Sequence, residues 1–366
     1  MDHKEVIGWV VTTVAGFLRL SQAKTLAVFV AAAQRVGRVC LPAIARFVGG
    51  GSMLKHKIKR LWRFTDNCRV EPSDAMRGVI QKLLKKRKKR LLVAFDWTEI
   101  RTFHTLALVA VIKGRGVPLL WASYPEWELA KSQNNFEEGL LRLFRDMVPR
   151  ELEVVILADR GFGRTELGRL CQQIGFHYLI RITPDVWIRT ANYKGKLLDY
   201  RVKKGISVLL KDVEYRKKEP VVQHVIVRWK RDLPKDRDEC WFLMTDLNGD
   251  PTRLSDLYGR RMTIEELFRD QKNRRNGFAL RNTRVQKAER FDRLLLVLAL
   301  AYWLLVGLGL HARKGYHPGH WCSATKASQC SIFTIGRRML DQLELSPAQA
   351  LAEVAAALSS GREKWG

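Results

Sequence analysis

The sequence has few of the features by which a protein fixes a structural metal or a covalent cross-link. Its six cysteines are scattered over 366 residues, with no C-x-x-C pair and no histidine at zinc-finger spacing. The sequence also contains no internal repeat and no low-complexity tract. The scattered cysteines argue against a structural zinc site and predict reduced thiols in a cytosolic protein.

Acidic residues are scarce compared with basic ones. The chain has 37 Asp and Glu against 65 Lys and Arg, which gives a formal net charge of +28 and a pI near 10.2. A charge of this size predicts a polyanionic partner. Because the basic residues are spread through the chain instead of forming one tail, DNA or RNA is favoured over a membrane surface.

Long apolar runs are also rare, although 46% of the residues are hydrophobic, enough for a large core. The run from Leu294 to Leu310 approaches the length of a membrane span, but it falls short of the roughly 20 residues that a spanning helix needs. The stretch from Val6 to Leu20 is interrupted by Arg19 and lacks the layout of a signal peptide. We therefore predict a buried core helix, no membrane partner and a cytoplasmic location.

Two short apolar runs each end in an aspartate. Arg90 to Phe95 precedes Asp96, and Leu152 to Ala158 precedes Asp159. Runs of this length and composition are typical of buried strands. Because open α/β sheets place their chemistry at the carboxyl ends of strands, both aspartates are candidate active-site residues.

A third acid, Glu265, lies in the segment from Tyr258 to Lys272. If that segment is one helix, Tyr258, Arg261, Glu265 and Lys272 share a stripe about 60° wide, at about 100° per residue. Such a face presents a carboxylate between two cations and a phenol, which suits a metal ion beside phosphates. Taken alone, the pattern also fits a solvated helix with salt bridges between turns. Glu266 would point about 100° away, and we interpret it as solvated or close to DNA.

The order of the predicted elements indicates the fold class. From Leu91 the patterns predict strands at 91–96, about 102–112 and 117–124, with a turn at 114–116 between the last two. A helix at about 134–147, a strand at 152–158, a helix at 165–174 and a strand at 177–182 follow. This is the layout of a ribonuclease-H-like fold, an α/β fold with a mixed sheet and flanking helices. In that fold the first and fourth strands are neighbours, so Asp96 and Asp159 are expected to be adjacent.

The patterns divide the chain into four regions. We predict a helical DNA-binding domain at 1–88, a catalytic core at 89–182 and 258–312, a β-rich insertion at 183–257 and a C-terminal helical region at 313–366. The insertion is predicted from alternating runs such as Val221–Arg228 and Cys240–Thr245, which are separated by turns rich in Lys, Asp and Pro.

The N-terminal region contains a basic helical segment at 55–64. Its apolar side, formed by Ile58, Leu61 and Trp62, is predicted to pack on a small core. The cations that we predict to contact phosphates are Lys59, Arg60 and Arg63. An ordinary solvated basic surface is the alternative interpretation.

Three acids beside a phosphate-binding helix predict a reaction on a phosphodiester with two Mg²⁺ ions, for which Mn²⁺ can substitute. Asp96, Asp159 and Glu265 are the predicted metal ligands and catalytic residues. One ion would lower the pKa of an attacking water or 3′-hydroxyl, and the other would stabilise the leaving oxygen. The protein would hold the geometry and supply positive potential.

These residues resemble a known family. The acids Asp96, Asp159 and Glu265 match the D-D-E triad of cut-and-paste DNA transposases. The segment around Glu265 also resembles the Y-(2)-R-(3)-E-(6)-K signature of the bacterial insertion-sequence-four family, with Tyr258, Arg261, Glu265 and Lys272 at the four signature positions. The run from Asp159 to Phe162 is similar to the family's second-aspartate motif, and the predicted insertion lies where that family carries one.

The resemblance implies a Mg²⁺-dependent transposase that acts on double-stranded DNA, both the inverted repeats at the transposon ends and the target. It implies nicking, a hairpin intermediate, strand transfer, and a homodimer in the DNA-bound complex. Tyr258, Arg261 and Lys272 would hold phosphates, Trp241 would stack on a base flipped from the hairpin, and Arg181 would contact the DNA backbone. The alternatives are another ribonuclease-H-like DNA endonuclease and a domesticated DNA-binding protein without catalysis.

Overall fold

The computed structural model describes residues 1–85, 87, 90–112, 114–130, 132–215, 221–230 and 240–359. Parts of the predicted insertion, at 216–220 and 231–239, therefore lie outside the described residues. The end of the predicted C-terminal region, at 360–366, does so too.

Contacts between Cα atoms divide the chain into two compact units, and each is described here by itself. The larger unit comprises Met1–Lys88, Trp97–Pro149 and Thr263–Ser360. The smaller unit comprises Lys89–Asp96 and Arg150–Met262. The four predicted regions, with their different boundaries, stay a prediction.

The strands are, in chain order, β1 Leu91–Ile100, β2 Phe103–Ile112, β3 Arg115–Pro125, β4 Val154–Ala158, β5 His177–Arg181, β6 Trp187–Arg189, β7 Lys194–Lys196, β8 Ser207–Tyr215, β9 Val221–Trp229 and β10 Cys240–Thr245. The helices are α1 His3–Val14, α2 Leu20–Ala33, α3 Leu41–Arg46, α4 Leu54–Asp66, α5 Pro72–Leu84, α6 Glu126–Leu129, α7 Gln133–Arg145, α8 Thr165–Gln173, α9 Pro251–Gly259, α10 Thr263–Lys272, α11 Ala288–Gly315, α12 Ile332–Met339 and α13 Pro347–Ser359.

The described strands form one mixed sheet in the order β3-β2-β1-β4-β5-β10-β9-β8-β6-β7. β1 and β4 are parallel neighbours, with Phe95 opposite Ala158 in the last pair of the register. This arrangement confirms the predicted ribonuclease-H-like α/β fold and places Asp96 and Asp159 next after paired residues on adjacent strands. The buried apolar runs explain the order, since β1 and β4 must be covered on both faces.

The predicted β-rich insertion continues the sheet instead of forming a separate one. β10 pairs antiparallel with β5, and Leu243 lies opposite Arg181. β9 and β8 follow in antiparallel register beyond β10. Within the smaller unit, the insertion is thus joined by backbone hydrogen bonds to β5, which itself pairs with β4, the strand that precedes Asp159.

α11 is the core helix of the larger unit. It is long and apolar enough to cross a membrane by length and composition, but 89% of its most apolar window is buried inside the protein. Its neighbours approach very closely, because a Cβ atom at Gly309 would stand 2.9 Å from the backbone carbon of Ile332. α2, α4, α5, α12 and α13 all contact α11. The prediction of a buried core helix is confirmed.

Candidate active site

Asp96 lies inside β1, four residues before the strand ends at Ile100. The strand is longer than predicted, so the aspartate follows the last β1–β4 pair but does not end the strand. Its side chain is 16% exposed and accepts a hydrogen bond at Oδ2 from Nη1 of Arg261, at 3.1 Å. The cation predicted to hold phosphate therefore neutralises the first predicted metal ligand in this structure.

Asp159 begins a short 3₁₀ turn, Arg160–Phe162, directly after β4. Its Oδ1 accepts a hydrogen bond from the backbone N–H of Gly161 at 2.9 Å, as an N-cap residue does. The turn carries Phe162 into the core, where its ring lies 4.8 Å from that of Phe95. This contact packs the turn after Asp159 against the residue that precedes Asp96 in β1.

Gly163 completes this turn because no larger residue fits there. A Cβ atom at that position would stand 2.9 Å from the carbonyl oxygen of Arg181 and 3.1 Å from that of Arg160. The sequence Asp159-Arg-Gly-Phe-Gly163 is thus explained by one cap, one buried ring and one close backbone approach.

The segment from Tyr258 to Lys272 is not the single helix that we predicted. α9 ends at Gly259, a 3₁₀ turn covers Arg260–Met262, and α10 begins at Thr263. A 3₁₀ turn advances about 120° per residue against 100° for an α-helix, so one common stripe cannot be drawn through all four signature residues. Glu265 and Lys272 do share a face of α10, because seven residues make about two turns.

Tyr258 and Trp241 form an aromatic pair in the smaller unit. Their ring centroids lie 5.5 Å apart at an interplanar angle of 81°. Tyr258 is buried, and burial raises the pKa of its phenol, while Arg261 and Arg181 act in the opposite direction and Asp159 adds to the rise. These electrostatic neighbours place Tyr258 among Asp159, Arg181 and Arg261, and the raised pKa keeps it a neutral hydrogen-bonding phenol.

Trp241 is only partly buried, so it is not a closed core residue of the insertion. The Lys230 ammonium lies 4.4 Å from the centroid of its indole ring, within the range of a cation–π contact. Burial, with repulsion from Arg228, lowers the pKa of Lys230. The Lys230 ammonium therefore covers one face of the indole.

The strand β9 holds α9, and with it Tyr258, in place. Nη1 of Arg228 donates to Oδ1 of Asp256 at 2.7 Å, to Oγ of Ser255 and to the carbonyl of Thr252. Since Arg228 also lies opposite Trp241 in the β9–β10 register, one strand positions both aromatic residues.

In the larger unit, α10 carries Glu265 and Lys272, both partly buried. Nζ of Lys272 donates to Oγ1 of Thr98 on β1 at 2.6 Å and lies 5.8 Å from the ring of Phe268. Thr98 is 7% exposed. Sequence reasoning missed Thr98, although its position two residues after Asp96 on a strand was a usable signal, because alternate residues share a face.

Glu266, which we expected to be solvated or close to DNA, is partly buried and bonded to two arginines, and its proximity to DNA stays a prediction. Its carboxylate accepts hydrogen bonds from Nη1 of Arg115 at 2.6 Å and from Nη1 of Arg269 at 2.7 Å. Arg115 also pairs through Nε with Asp270 at 3.1 Å, and Asp270 accepts a hydrogen bond from the hydroxyl of Tyr302 at 2.9 Å. Arg115 was predicted to lie in the turn at 114–116, but it begins β3 and is buried.

The basic segment of the N-terminal region forms α4. Its cations Lys59, Arg60 and Arg63 line a groove of ≈ 570 Å³ together with Ser21, Gln22, Thr25, His56, Phe64 and Asn67. The groove thus runs between α2 and α4, and its wall combines positive charge with hydroxyl and amide groups. These are the groups that contact phosphate oxygens in protein–DNA complexes.

The apolar side of α4 differs from the prediction at one residue. Leu61 is buried, but Trp62 is 46% exposed. The guanidinium of Arg290 lies 4.2 Å from the centroid of the Trp62 ring. Phe64, which we did not assign to the apolar side, is buried instead, because the helix turns its last residues toward α2 and α11.

Asp96 and Asp159 are candidate ligands for a hard divalent cation. Asp96 and Asp159 supply hard carboxylate oxygens from adjacent strands, and both are partly accessible. Among the described residues, no group of three or more His, Cys, Asp or Glu side chains is clustered tightly enough to hold a metal ion. The sheet places Asp96 and Asp159 after paired residues on adjacent strands, and the assignment of Asp96, Asp159 and Glu265 as metal ligands stays a prediction.

The comparison with known families decides what this arrangement belongs to. A family model described as the transposase DDE domain matches residues 87–304, which is more than half of the chain. The chain belongs to the transposase DDE domain family. Its mixed α/β sheet with flanking helices agrees with that membership. Membership in this family places the chain among transposases, which are proteins that act on DNA. A comparison with curated proteins finds no significant match.

Proposed function

We propose that this transposase catalyses cut-and-paste transposition of an insertion sequence, as a member of the insertion-sequence-four group. Asp96, Asp159 and Glu265 would be its catalytic and metal-binding residues. The observation that carries the proposal is the register of β1 and β4, which brings Asp96 and Asp159 to adjacent positions inside a transposase DDE domain. The Y-R-E-K spacing from Tyr258 to Lys272 supports the narrower assignment.

The residues fit two Mg²⁺ ions, with Mn²⁺ as a substitute. Asp96 and Asp159 would hold them, with Glu265 as the third carboxylate. Bound ions of this kind lower the pKa of an attacking hydroxyl and stabilise the leaving oxygen of a phosphodiester. The oxygen-only donor set suits hard divalent cations and disfavours zinc, which prefers nitrogen and sulfur ligands.

Arg261 has two uses in this proposal. In the structure it pairs with Asp96 at 3.1 Å. A DNA phosphate would compete for the guanidinium, since arginine binds phosphate bidentately. Transfer of Arg261 from Asp96 to the phosphate would then expose the carboxylate as DNA arrives, which couples DNA binding to metal binding.

The other signature residues would act on the DNA around the scissile bond. Arg181 and Tyr258, which are electrostatic neighbours, would contact the backbone as a cation and as a neutral phenol. Trp241 would stack on a base extruded during hairpin formation, once Lys230 leaves the face of its ring. Lys272 would bind a phosphate from α10.

The groove between α2 and α4 would receive the duplex at the transposon end. Lys59, Arg60 and Arg63 line one concave surface, and cations are among the groups that contact DNA phosphates. Target DNA would be the second DNA partner. We propose a homodimer in the DNA-bound complex, since each of two transposon ends needs an active site, and a cytoplasmic, nucleoid-associated location without a membrane partner.

The test uses the full-length chain and a supercoiled plasmid that carries the reading frame with its native flanking DNA. We expect double-strand breaks at both flanks in Mg²⁺ and joining of the excised segment to a second plasmid. Nicking without joining would favour the endonuclease alternative. Binding without any cleavage, in either Mg²⁺ or Mn²⁺, would favour a domesticated DNA-binding protein and contradict the proposal.

A further inference from the structure

The backbone and the ammonium group of Lys272 are both held by contacts within the larger unit. Its backbone forms the last residue of α10, and its Nζ donates to Oγ1 of Thr98 at 2.6 Å. The ring of Phe268, one helical turn earlier, lies 5.8 Å from the same Nζ. A lysine side chain ordinarily samples many rotamers, so these contacts select one direction for its ammonium group.

Thr98 is well suited to this task. It is 7% exposed, and its β-branched side chain on a strand has a restricted χ1 angle. The hydroxyl therefore offers its oxygen in a fixed position, and a hydrogen bond to a charged donor is stronger than one between neutral groups. An ammonium carries three N–H donors, so the bond to Thr98 is compatible with a further bond to a phosphate oxygen.

We propose that Thr98 is a positioning residue of the transposition reaction, which acts by directing the ammonium of Lys272 toward a DNA phosphate. The proposal rests on the function proposed above. It assigns a role to a residue outside the D-D-E and Y-R-E-K positions, in the segment Asp96-Trp-Thr98. Thr98 would touch neither the DNA nor a metal and would act only through Lys272.

A simpler interpretation is that the bond only anchors the end of α10 on β1. In that case its loss would lower stability, and it would do so whether or not Lys272 binds phosphate. The two interpretations differ in what happens when Lys272 is already absent. A positioning residue has nothing left to position, so its effects and those of Lys272 are not additive.

The experiment compares Thr98→Val, Thr98→Ser, Lys272→Ala and the double variant Thr98→Val/Lys272→Ala. Thr98→Val keeps the shape and removes the hydroxyl, whereas Thr98→Ser keeps the hydroxyl. Single-turnover cleavage of the plasmid with native flanks is measured at saturating protein. We expect Thr98→Val to slow cleavage by about 10-fold, Thr98→Ser to stay within about 3-fold of wild type, and the double variant to match Lys272→Ala within about 2-fold.

A second measurement, the salt dependence of duplex binding, separates direction from charge. Lys272→Ala should lower the slope of log K against log salt by about 0.9, because it removes one phosphate contact. Thr98→Val should leave that slope unchanged, because the ammonium remains charged. A lower cleavage rate at saturating protein, with an unchanged salt slope, is the signature of positioning.

The outcomes separate the two proposals. If wild type does not cleave, the proposed function fails first, and the role of Thr98 falls with it. If wild type cleaves and Thr98→Val cleaves equally fast, the positioning role alone is overturned. It is also overturned if Thr98→Val slows Lys272→Ala by a further 10-fold with a lowered melting temperature, because that result shows an anchoring role.

Discussion

Two carboxylate–arginine pairs in this protein have similar burial and different surroundings. Asp270 and Arg115 have side chains 9% and 10% exposed, and Asp96 and Arg261 have side chains 16% and 12% exposed. Asp270 also accepts a hydrogen bond from Tyr302. Asp96, by contrast, follows the last pair of β1 with β4, on the strand next to that of Asp159.

The two pairs also differ in the groups that they bind within their own units. Arg115 binds Glu266 and Asp270 together, so three charges and a phenol satisfy one another between β3, α10 and α11. Burial raises the pKa of Asp270 to about 6, and the charge of Arg115 and the Tyr302 hydrogen bond oppose the rise. In the smaller unit, Arg261 pairs with Asp96 on β1, and Asp159 follows the neighbouring strand β4.

The largest effects should come from the acids of the proposed site. Asp96→Asn, Asp159→Asn and Glu265→Gln each remove a predicted metal ligand at nearly constant volume, and we expect each to lower cleavage by about 1,000-fold or more. DNA binding should persist, because no phosphate-binding cation is removed. The measurement is cleavage of the plasmid with native flanks, beside a gel-shift assay.

The matched control is Glu99→Gln, since Glu99 is an exposed acid on the same strand as Asp96. It should cleave like wild type. Glu266→Gln is unsuitable as a control, because Glu266 is bonded to Arg115 and Arg269. Any of the three variants that retains Mg²⁺-dependent cleavage removes its residue from the predicted triad.

Substitutions of Arg115 and Arg261 should affect stability and activity differently. Arg115→Met leaves Asp270 buried without its cation, which should cost about 3 to 5 kcal/mol of unfolding free energy. Arg261→Met should cost less, because Asp96 is partly accessible to water, but it should impair cleavage. Circular dichroism melts and cleavage assays below both melting temperatures measure the two effects. Equal destabilisation by both substitutions would break the contrast between the pairs.

The pH dependence sharpens the same contrast. An acid whose folded pKa is raised binds protons more tightly in the folded state, so its contribution to stability falls as pH rises from about 4 to that pKa. For wild-type Asp270 this window ends at about 6. Arg115→Met should extend it upward, so the loss of melting temperature relative to wild type should be greater at pH 8 than at pH 5.

A smaller effect is expected at Trp241. If its indole stacks on an extruded base, Trp241→Ala should slow hairpin formation by about 5-fold to 150-fold, since stacking contributes about 1 to 3 kcal/mol. Nicking of the first strand should change little. Lys230→Met, which frees one face of the indole, is the companion variant and should not slow hairpin formation.

The competing interpretation of Trp241 is structural. Trp241 makes an edge contact with Tyr258, and on β10 it lies opposite Arg228 of β9. Thermal melts test whether these contacts give it a packing role. A core Trp→Ala change typically costs about 3 to 5 kcal/mol. Equal loss of nicking and hairpin formation, with a large drop in melting temperature, would contradict the stacking role.

The sequence was sufficient for the fold and for the adjacency of the strands that carry or precede two of the three predicted acids, because both depend on local patterns. Apolar runs of strand length and the order of elements predicted that β1 and β4 are neighbours, and the structure confirms this adjacency of Asp96 and Asp159. The break between α9 and α10 could not be predicted, because Gly259 to Met262 carry no proline or other strong helix breaker beyond one glycine. The role of Arg115 was hidden because its partners lie more than 150 positions away in the chain.

The smallest effects are expected from substitutions on α4, where charged side chains face solvent. Lys59 and Arg63 are exposed, whereas Arg60 donates to Oγ1 of Thr25 at 3.1 Å. Lys59→Gln and Arg63→Gln should each lower the salt slope of duplex binding by up to about 0.9 log unit and should leave the melting temperature nearly unchanged. Lys4→Gln, an exposed lysine on α1, is the control. Fluorescence anisotropy over a salt series measures the slopes, and slopes equal to that of Lys4→Gln would mean that the groove between α2 and α4 is solvated surface, with no more contact to DNA than any other exposed cation of this basic chain.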